Sequence, residues 1–234
     1  MKPVISALAK AFGQLSDRAI LGVLAKSVAL TLLVFAGLGL ALFAGLNWGF
    51  AALGLEDGGY ASALLATLLA ALAGWLLFRV VAVAVLQFFA DEVVIAVEAR
   101  HYPQAAATAR VLPFREDLAN SLRGIGRTVL VNLVALPVAA VLVVTGIGPA
   151  IVFLLVNAWL LGRELTDMAW LRHRHEARAN NPVSGKERML LGLVVAGIML
   201  VPFANLLAPV LGAAAGTHLA HTVMARTRKE SFDA

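Results

Sequence analysis

The sequence predicts an all-α integral membrane protein with two long transmembrane helices, two half-membrane helical hairpins and cytoplasmic amphipathic helices. Hydrophobic residues make up 61% of the chain and charged residues only 14%, whereas soluble domains average about 45–50% and about 25%. Most apolar residues fall into four long tracts, at residues 27–55, 60–90, 128–162 and 189–225. Cysteine is absent, which excludes disulfides, thiolate metal sites and cysteine catalysis.

Each of the first two tracts is typical of a single membrane crossing. Tract 27–55 has no charged side chain over 29 residues, and tract 60–90 contains only Arg79, while one crossing needs roughly 20 residues. At ~1.5 Å per helical residue, Arg79 lies about 28 Å from Tyr60. We therefore expect Arg79 near the inner interface, where its guanidinium can reach the lipid headgroups.

The two C-terminal tracts are too long for one crossing and too short for two. Residues 128–162 and 189–225 contain no Asp, Glu, Lys or Arg over 35 and 37 residues, whereas two crossings need about 40 residues plus a turn. The Gly-Ile-Gly-Pro run at 146–149 breaks the first of these tracts, and Pro202 breaks the second. Arms of about 13 residues span only ~20 Å of a ~30 Å hydrocarbon core. Both tracts are therefore predicted to be re-entrant hairpins, which are typical of transporters because irregular backbone at membrane depth lines a wet cavity or is buried in protein.

The positions of the charges predict the orientation of the chain. The net charge is +5, but the basic residues flank apolar tracts, which indicates topology signals rather than nucleic-acid binding. Segment 1–26 has four Lys or Arg against one Asp, whereas the turn at 56–57 has two acids and no base. The N-terminus, segment 91–127, loop 163–188 and tail 226–234 are expected inside, which requires both hairpins to return. The prediction is a multi-pass inner-membrane protein with cytoplasmic N- and C-termini.

Three segments are predicted to form helices at the cytoplasmic side. Segment 1–26 has apolar residues at helical spacing and suits an amphipathic helix on the inner membrane surface. Residues 80–97 form an apolar helix beyond the second span, so they need a protein partner, either another helix of the chain or a second subunit. Residues 115–129 are amphipathic by the same spacing.

Three stretches of the chain contain motifs of a known family. They are FADEVVIAVE at 89–98, FLLVNAWLLGRELTD at 153–167, and VPFANLLAPVLGAAAGTHL at 201–219. These stretches, with Arg188 between the last two, resemble the CysZ sulfate permease family, which belongs to the etoposide-induced-protein domain superfamily. The most specific part is the Pro-x-x-Asn-Leu-Leu-Ala-Pro-Val run at 202–210, while Ala90 stands where a proline is usual.

The resemblance implies two long spanning helices, two half-membrane hairpins, a helical cytoplasmic part, oligomeric assembly, and sulfate uptake for cysteine synthesis. In the family, an Arg-rich turn ahead of the first span is associated with sulfate. The matching turn here, residues 15–18, keeps only Arg18, beside Asp17. A carboxylate next to an anion site lowers the affinity of that site.

Three residues are predicted to bind the anion. Asn205 follows Pro202 at a hairpin tip, where it and free backbone N–H groups can replace the hydration of the ion. Arg163, where the first hairpin emerges, and Arg18 can raise the local anion concentration. The alternative for Arg163 is a plain interfacial salt bridge to Asp167, one helical turn away. In the functional alternative, Asp167 and the adjacent Glu164 order the surroundings of Arg163.

Other polar residues in the apolar tracts are predicted to hydrogen-bond between helices or to line the path, because unpaired polar groups are costly there. They include Asn157 and His218. His218 and His221 are three residues apart, but two ligands without a nearby carboxylate rarely bind a metal, so no metal and no cofactor are predicted. The run Arg-His-Arg-His-Glu at 172–176 is predicted to meet anionic lipid rather than a metal or nucleic acid.

Three classes of function remain. The first is a permease or channel for a small inorganic anion, sulfate-like by family resemblance, with a path formed by the hairpins. The second is a non-transporting membrane scaffold or assembly protein of the same fold. The third is an intramembrane enzyme that uses His218 or the pair Glu164 and Asp167. Because no HExxH, GxSxG or phosphate-binding glycine loop occurs, the sequence predicts no catalytic residue.

Overall fold

The structure is a computed structural model that describes residues 1–52, 64, 67–68, 71–72, 74, 90–174, 176, 179–201 and 204–232. The regular structure of these residues is helical throughout and includes no strand, which confirms the predicted all-α class. Arg79 lies outside the described residues, as does the side chain of Asn205. The helices are α1 (Lys2–Gly13), α2 (Arg18–Ala52), α3 (residues 90–101), α4 (Pro103–Thr108), α5 (Phe114–Val141), α6 (Gly148–His173), α7 (Gly185–Met199) and α8 (Ala204–Phe232).

The chain divides into two compact units, residues 21–89 and residues 1–20 with 90–234. Helix α2 provides most of what is described of the first unit. It runs unbroken for 35 residues, or about 52 Å at ~1.5 Å per residue, so the predicted span 27–55 is helical as far as residue 52. Its large apolar side chains are largely exposed, among them Leu32, Leu33 and Phe43.

In the second unit, α5 and α6 form a helical hairpin with its turn where the glycines and proline predicted it. A 3₁₀ turn at Leu142–Thr145 follows α5, and Gly146 then adopts φ of +73°, a conformation that glycine tolerates best. The hydroxyl of Thr145 donates to the Leu142 carbonyl at 2.7 Å and accepts from the Gly148 amide at 2.8 Å. These bonds satisfy backbone groups at the turn.

The arms of this hairpin are longer than the sequence predicted. Helix α5 begins at Phe114 and α6 continues to His173, so the expected boundaries at 127/128 and 162/163 fall inside unbroken helices. Each of the two helices is long and apolar enough to cross a membrane, counting the 3₁₀ turn with α5. Most large apolar side chains of α5 are exposed. This face suits lipid.

Helix α7 returns antiparallel along α6 and begins at a strong cap. Ser184 and Glu187 form a reciprocal capping box, which satisfies two backbone amides. Gly162 of α6 lies against the Arg188 carbonyl of α7, and Gly192 of α7 lies against the Ala158 carbonyl of α6. Because neither glycine has a Cβ, the two helix backbones touch.

Helix α8 forms the centre of this unit, and residues 210–221 are buried throughout. It packs against α1, α6 and α7, and Gly216 lies against the Leu165 carbonyl of α6. Helix α1 buries Val4, Ala7 and Ala11 and packs on α8, so the predicted amphipathic helix has a protein partner for its small apolar face.

Helix α3 covers residues 90–97 of the apolar segment that was predicted at 80–97. Ala90, Val93, Val94 and Val97 are buried. The predicted protein partner is therefore confirmed for residues 90–97. Residues 80–89 lie outside the described part of the chain.

Candidate functional site

A basic pocket lies between α6 and α7. Its volume is about 200 Å³, and it is lined by Trp159, Arg163, Gly185 and Arg188. The antiparallel glycine contact explains how these residues meet, because Gly162 directly precedes Arg163 and touches the backbone of Arg188. We call this feature the arginine pocket.

Arg188 keeps its charge in the arginine pocket, where backbone carbonyls orient it. Its Nε donates to the Val183 carbonyl at 2.8 Å and its guanidinium donates to the Asn181 carbonyl at 3.3 Å. Burial lowers the pKa of Arg188, the charge of Asp167 raises it, and the like charge of Arg163 lowers it further. A guanidinium ordinarily titrates far above neutral pH, so this residue remains a cation.

Asn181 fixes the loop that carries these carbonyls. Its side-chain oxygen accepts from the Val183 amide at 3.0 Å, and its Nδ2 donates to Asp167 Oδ1 at 2.8 Å. The loop is thus tied to α6 through a carboxylate. Asp167 thereby orders the surroundings of the pocket without entering its lining.

Arg163 forms the local pair that its spacing predicted. Its Nε lies 3.3 Å from Asp167 Oδ2, but this Nε has no hydrogen-bond partner of good geometry within the described chain. Arg127 of α5 lies within electrostatic range of Arg163, Arg188 and Asp167. The carboxylate of Glu164 also acts on Arg127, so three cations and two carboxylates share the region and these five groups carry a small net positive charge.

A second polar group, which we call the Glu98 cluster, lies in the core of the same unit. Glu98 is completely buried. Its Oε1 accepts from His173 at 2.8 Å and from His221 at 3.1 Å, and its Oε2 accepts from Arg172 at 3.1 Å. Burial alone would raise the pKa of Glu98, but the two histidine hydrogen bonds and the Arg172 charge outweigh it and lower this pKa to about 2. Glu98 is therefore an anion in the protein interior.

Tyr102 connects the Glu98 cluster to the N-terminal helix. Its ring stacks on His221 with centroids 4.2 Å apart, and its hydroxyl lies 2.8 Å from His218 Nδ1. The other ring nitrogen of His218 lies 3.0 Å from Gln14 Oε1. Burial raises the pKa of Tyr102. The hydrogen-bonded chain links α1, α8 and the α3–α4 junction.

The acid beside Arg18 is paired elsewhere. Asp17 Oδ2 lies 2.9 Å from Arg100 Nε and 3.7 Å from His101. Arg18 is the first residue of α2 and is exposed. The charge of Asp17 is therefore largely compensated by α3.

The structure brings together only some of the residues singled out by the sequence. Arg163 and Asp167 share one site, Asn157 is exposed and donates to the Phe153 carbonyl of its own helix, and His218 hydrogen-bonds between helices. Glu164 is exposed on α6.

The prediction that the 172–176 run meets lipid is wrong for its first three residues. Arg172 and His173 hold Glu98, and Arg174 is buried with its guanidinium 2.6 Å from Glu116. Arg172 and His173 serve Glu98, because a buried carboxylate needs a nearby partner, whereas Arg174 pairs with Glu116, which is partly exposed.

Sequence reasoning missed Glu98, Tyr102 and the pocket role of Arg188. The available signal for Glu98 was an acid inside the apolar run VVIAVEA at 93–99, since a charge flanked by buried positions requires a partner.

A protein-family model described as sulfate transporter CysZ/etoposide-induced protein 2.4 matches residues 7–209. The chain belongs to this family. Searches of curated proteins and of solved structures give no match. One of the two proteins named in this description is a sulfate transporter, and both candidate spanning helices, α5 and α6, lie inside the matched range.

Proposed function

We propose that the protein is an inner-membrane permease for a small inorganic oxyanion of the sulfate class. Family membership supports the class of function, and the arginine pocket is the observation that supports the anion. Two guanidinium groups line it, one of them held by carbonyls rather than by a carboxylate. Its volume of about 200 Å³ is several times the ~30 Å³ that one water molecule occupies in the liquid. A partly hydrated oxyanion fits such a space.

The chemistry of the pocket favours an oxyanion over other solutes. Guanidinium groups present planar, paired donors that match tetrahedral oxyanions. Gly185 is the first residue of α7, so the positive end of that helix faces the same space. Trp159 supplies the apolar wall that keeps the local dielectric low, which strengthens each charge interaction.

The length of α7 supports a path that is shorter than the full bilayer. Helix α7 has 15 residues, which is about 22 Å of helix against a ~30 Å hydrocarbon core. Helices α6 and α7 are antiparallel, since Gly162 contacts Arg188 and Gly192 contacts Ala158. The turns after α5 and after α7 therefore share one end of the unit, and the basic loop lies at the other end.

In this proposal the arginine pocket is the cytoplasmic mouth of the path. Arg188 lies about 17 Å from the end of α7 at Met199, where the turn that precedes α8 begins. Asn205 is the second residue of α8, directly after that turn, and is proposed to replace the hydration of the ion there. Arg18 is proposed to attract anions at the start of α2. Both termini and the loop between α6 and α7 would lie in the cytoplasm, and the chain would act as a homo-oligomer.

Uptake of radiolabelled sulfate into proteoliposomes tests the proposal. Arg188→Gln and Arg163→Gln remove one pocket charge each, and a hydrogen bond to a charged group contributes about 1.5–3 kcal/mol. We expect about a 10- to 100-fold loss of uptake, largest at low ionic strength, where screening is least. Arg226→Gln, near the exposed end of α8, is the matched control and should transport as wild type.

A negative result has a defined meaning. If wild-type vesicles accumulate no sulfate, sulfite, selenate or phosphate, and millimolar concentrations of these ions leave the thermal stability of the protein unchanged, the transport proposal is wrong. The non-transporting scaffold would then be the better account of this fold.

A further inference from the structure

The side chains of Glu98, His173 and His221 meet in the core of the second unit. One carboxylate oxygen and one ring nitrogen from each histidine all lie within 4.8 Å of one another. The side chains are 1%, 10% and 6% exposed. They come from α3, α6 and α8, so only the tertiary fold brings them together.

We propose that this triad binds a divalent transition-metal ion of the zinc class, an activity separate from anion transport. Two imidazole nitrogens and one carboxylate oxygen are a donor set that zinc uses, with a fourth position left for water or another ligand. This set is too rich in nitrogen for Mg²⁺ or Ca²⁺, which prefer oxygen.

The distances fit a compact coordination shell. In both histidines the Nε2 atom faces the same oxygen, Glu98 Oε1, at 2.8 Å and 3.1 Å. Metal–ligand bonds of about 2.0–2.1 Å in a tetrahedron place ligand atoms about 3.3 Å apart. An ion therefore enters if Glu98 Oε1 moves about half an ångström or less from each nitrogen and the two nitrogens, which lie within 4.8 Å of each other, settle about 3.3 Å apart.

The surroundings orient two of the three ligands, Glu98 and His221. Arg172 Nε binds the other oxygen of Glu98 at 3.1 Å, which leaves Oε1 as the single carboxylate donor. The ring of Tyr102 stacks on His221 at 16° between the planes. Such supporting contacts fix the orientation of metal ligands and raise affinity. The positive charge of Arg172 acts in the other direction, so we expect an affinity below that of a zinc finger.

A bound ion would join three helices that are distant in the sequence. Glu98 belongs to α3, His173 is the last residue of α6, and His221 lies in the buried part of α8. The site is structural in this proposal. The ion would hold α3, α6 and α8 together at the basic end of the second unit, and it would take no part in the arginine pocket.

The test uses the full-length, tag-free protein in detergent after chelator treatment. Titration with Co²⁺ should produce the visible absorption bands of a tetrahedral site at one ion per chain, and Zn²⁺ should displace them. His221→Ala and His173→Ala should weaken Co²⁺ binding by more than about 100-fold, since loss of a supporting contact alone gives 10- to 100-fold. The control His101→Ala removes a partly exposed histidine that faces Asp17, and it should bind as wild type.

The wild-type protein decides the question even if a triad variant fails to fold. Zn²⁺ at about 100 times its Kd should raise the apparent Tm of wild type by about 5–10 °C. If wild type binds no Co²⁺ or Zn²⁺, the cluster is a hydrogen-bonded core group and the proposal is wrong. Equal loss of binding in His101→Ala and His221→Ala would also overturn it, because the ion would then lie elsewhere.

Discussion

Replacing Gly192 by alanine should destabilise the protein by forcing α6 and α7 apart. A Cβ at Gly192 would overlap the carbonyl of Ala158 and lie 2.7 Å from the Gly162 amide nitrogen. These obstacles are backbone atoms, which cannot rotate away as a flexible side chain can. The two helices must therefore separate or shift along their whole contact.

The magnitude follows from two opposing effects. Overpacking of a tight contact costs about 1–3 kcal/mol or more, and a backbone obstacle places this change near 3 kcal/mol. Alanine is a better helix former than glycine by about 1 kcal/mol. The net loss is about 2 kcal/mol. Gly197 is the matched control on the same helix, since nothing lies within 4 Å of a Cβ there, and Gly197→Ala should stabilise by about 1 kcal/mol.

Thermal unfolding in detergent measures both changes. One kcal/mol shifts the Tm of a chain of this size by about 2–4 °C, so Gly192→Ala should lower the apparent Tm by about 4–8 °C. Gly197→Ala should raise it by about 2–4 °C. Equal Tm values for the two variants would refute the backbone contact between α6 and α7, because helix propensity alone predicts the same gain at both positions.

Three further predictions concern the pocket, the acidic residues and the topology. Gly162→Ala should reduce sulfate uptake as well as the Tm, because its Cβ would displace the backbone of Arg188. Unchanged uptake in a folded variant would show that transport does not depend on this contact. Asp91 is an exposed residue of α3, but reduced hydration beside the neighbouring protein and the charge of Asp117 raise its pKa above the ordinary 3.8. Folding therefore favours the protonated form, and stability falls as the pH rises from 3.8 to the raised value. Asp91→Asn should be more stable than wild type at neutral pH but not below pH 3.8, whereas Asp91→Glu, which keeps the charge, should not show this gain. Tags at both termini and within 174–184 should all report cytoplasm, and a periplasmic signal from that loop would exclude the re-entrant arrangement.

The turn of the α5–α6 hairpin could be predicted because its determinants are local. Glycine at 146 and 148 and proline at 149 break an otherwise uncharged helix, and the positive φ of Gly146 is the conformation that this residue type permits. The extent of the arms could not be predicted in the same way. Arg127 and Arg163 mark the two ends of the apolar tract 128–162, but the helices continue through both residues.

The Glu98 cluster could not be predicted because its partners are far apart in the chain. His173 and His221 follow Glu98 by 75 and 123 residues. Taken locally, Arg172 and His173 belong to a basic run, and His221 has only His218 nearby. Periodicity reports which face of a helix is buried, but it carries no information about which buried faces meet.

The glycine contacts also restrict how the arginine pocket could change its shape. Helix α6 touches the backbone of α7 at Gly162 and Gly192, and it touches α8 at Gly216. Packed backbones do not deform continuously, so separation of these helices requires a discrete rearrangement. Arg163 lies on the same unbroken helix as His173, which hydrogen-bonds to Glu98. The two residues are about 15 Å apart along the helix axis. Any movement that opens the pocket by tilting α6 must therefore also disturb the contacts of Glu98, whereas side-chain rotation of Arg163 leaves them intact.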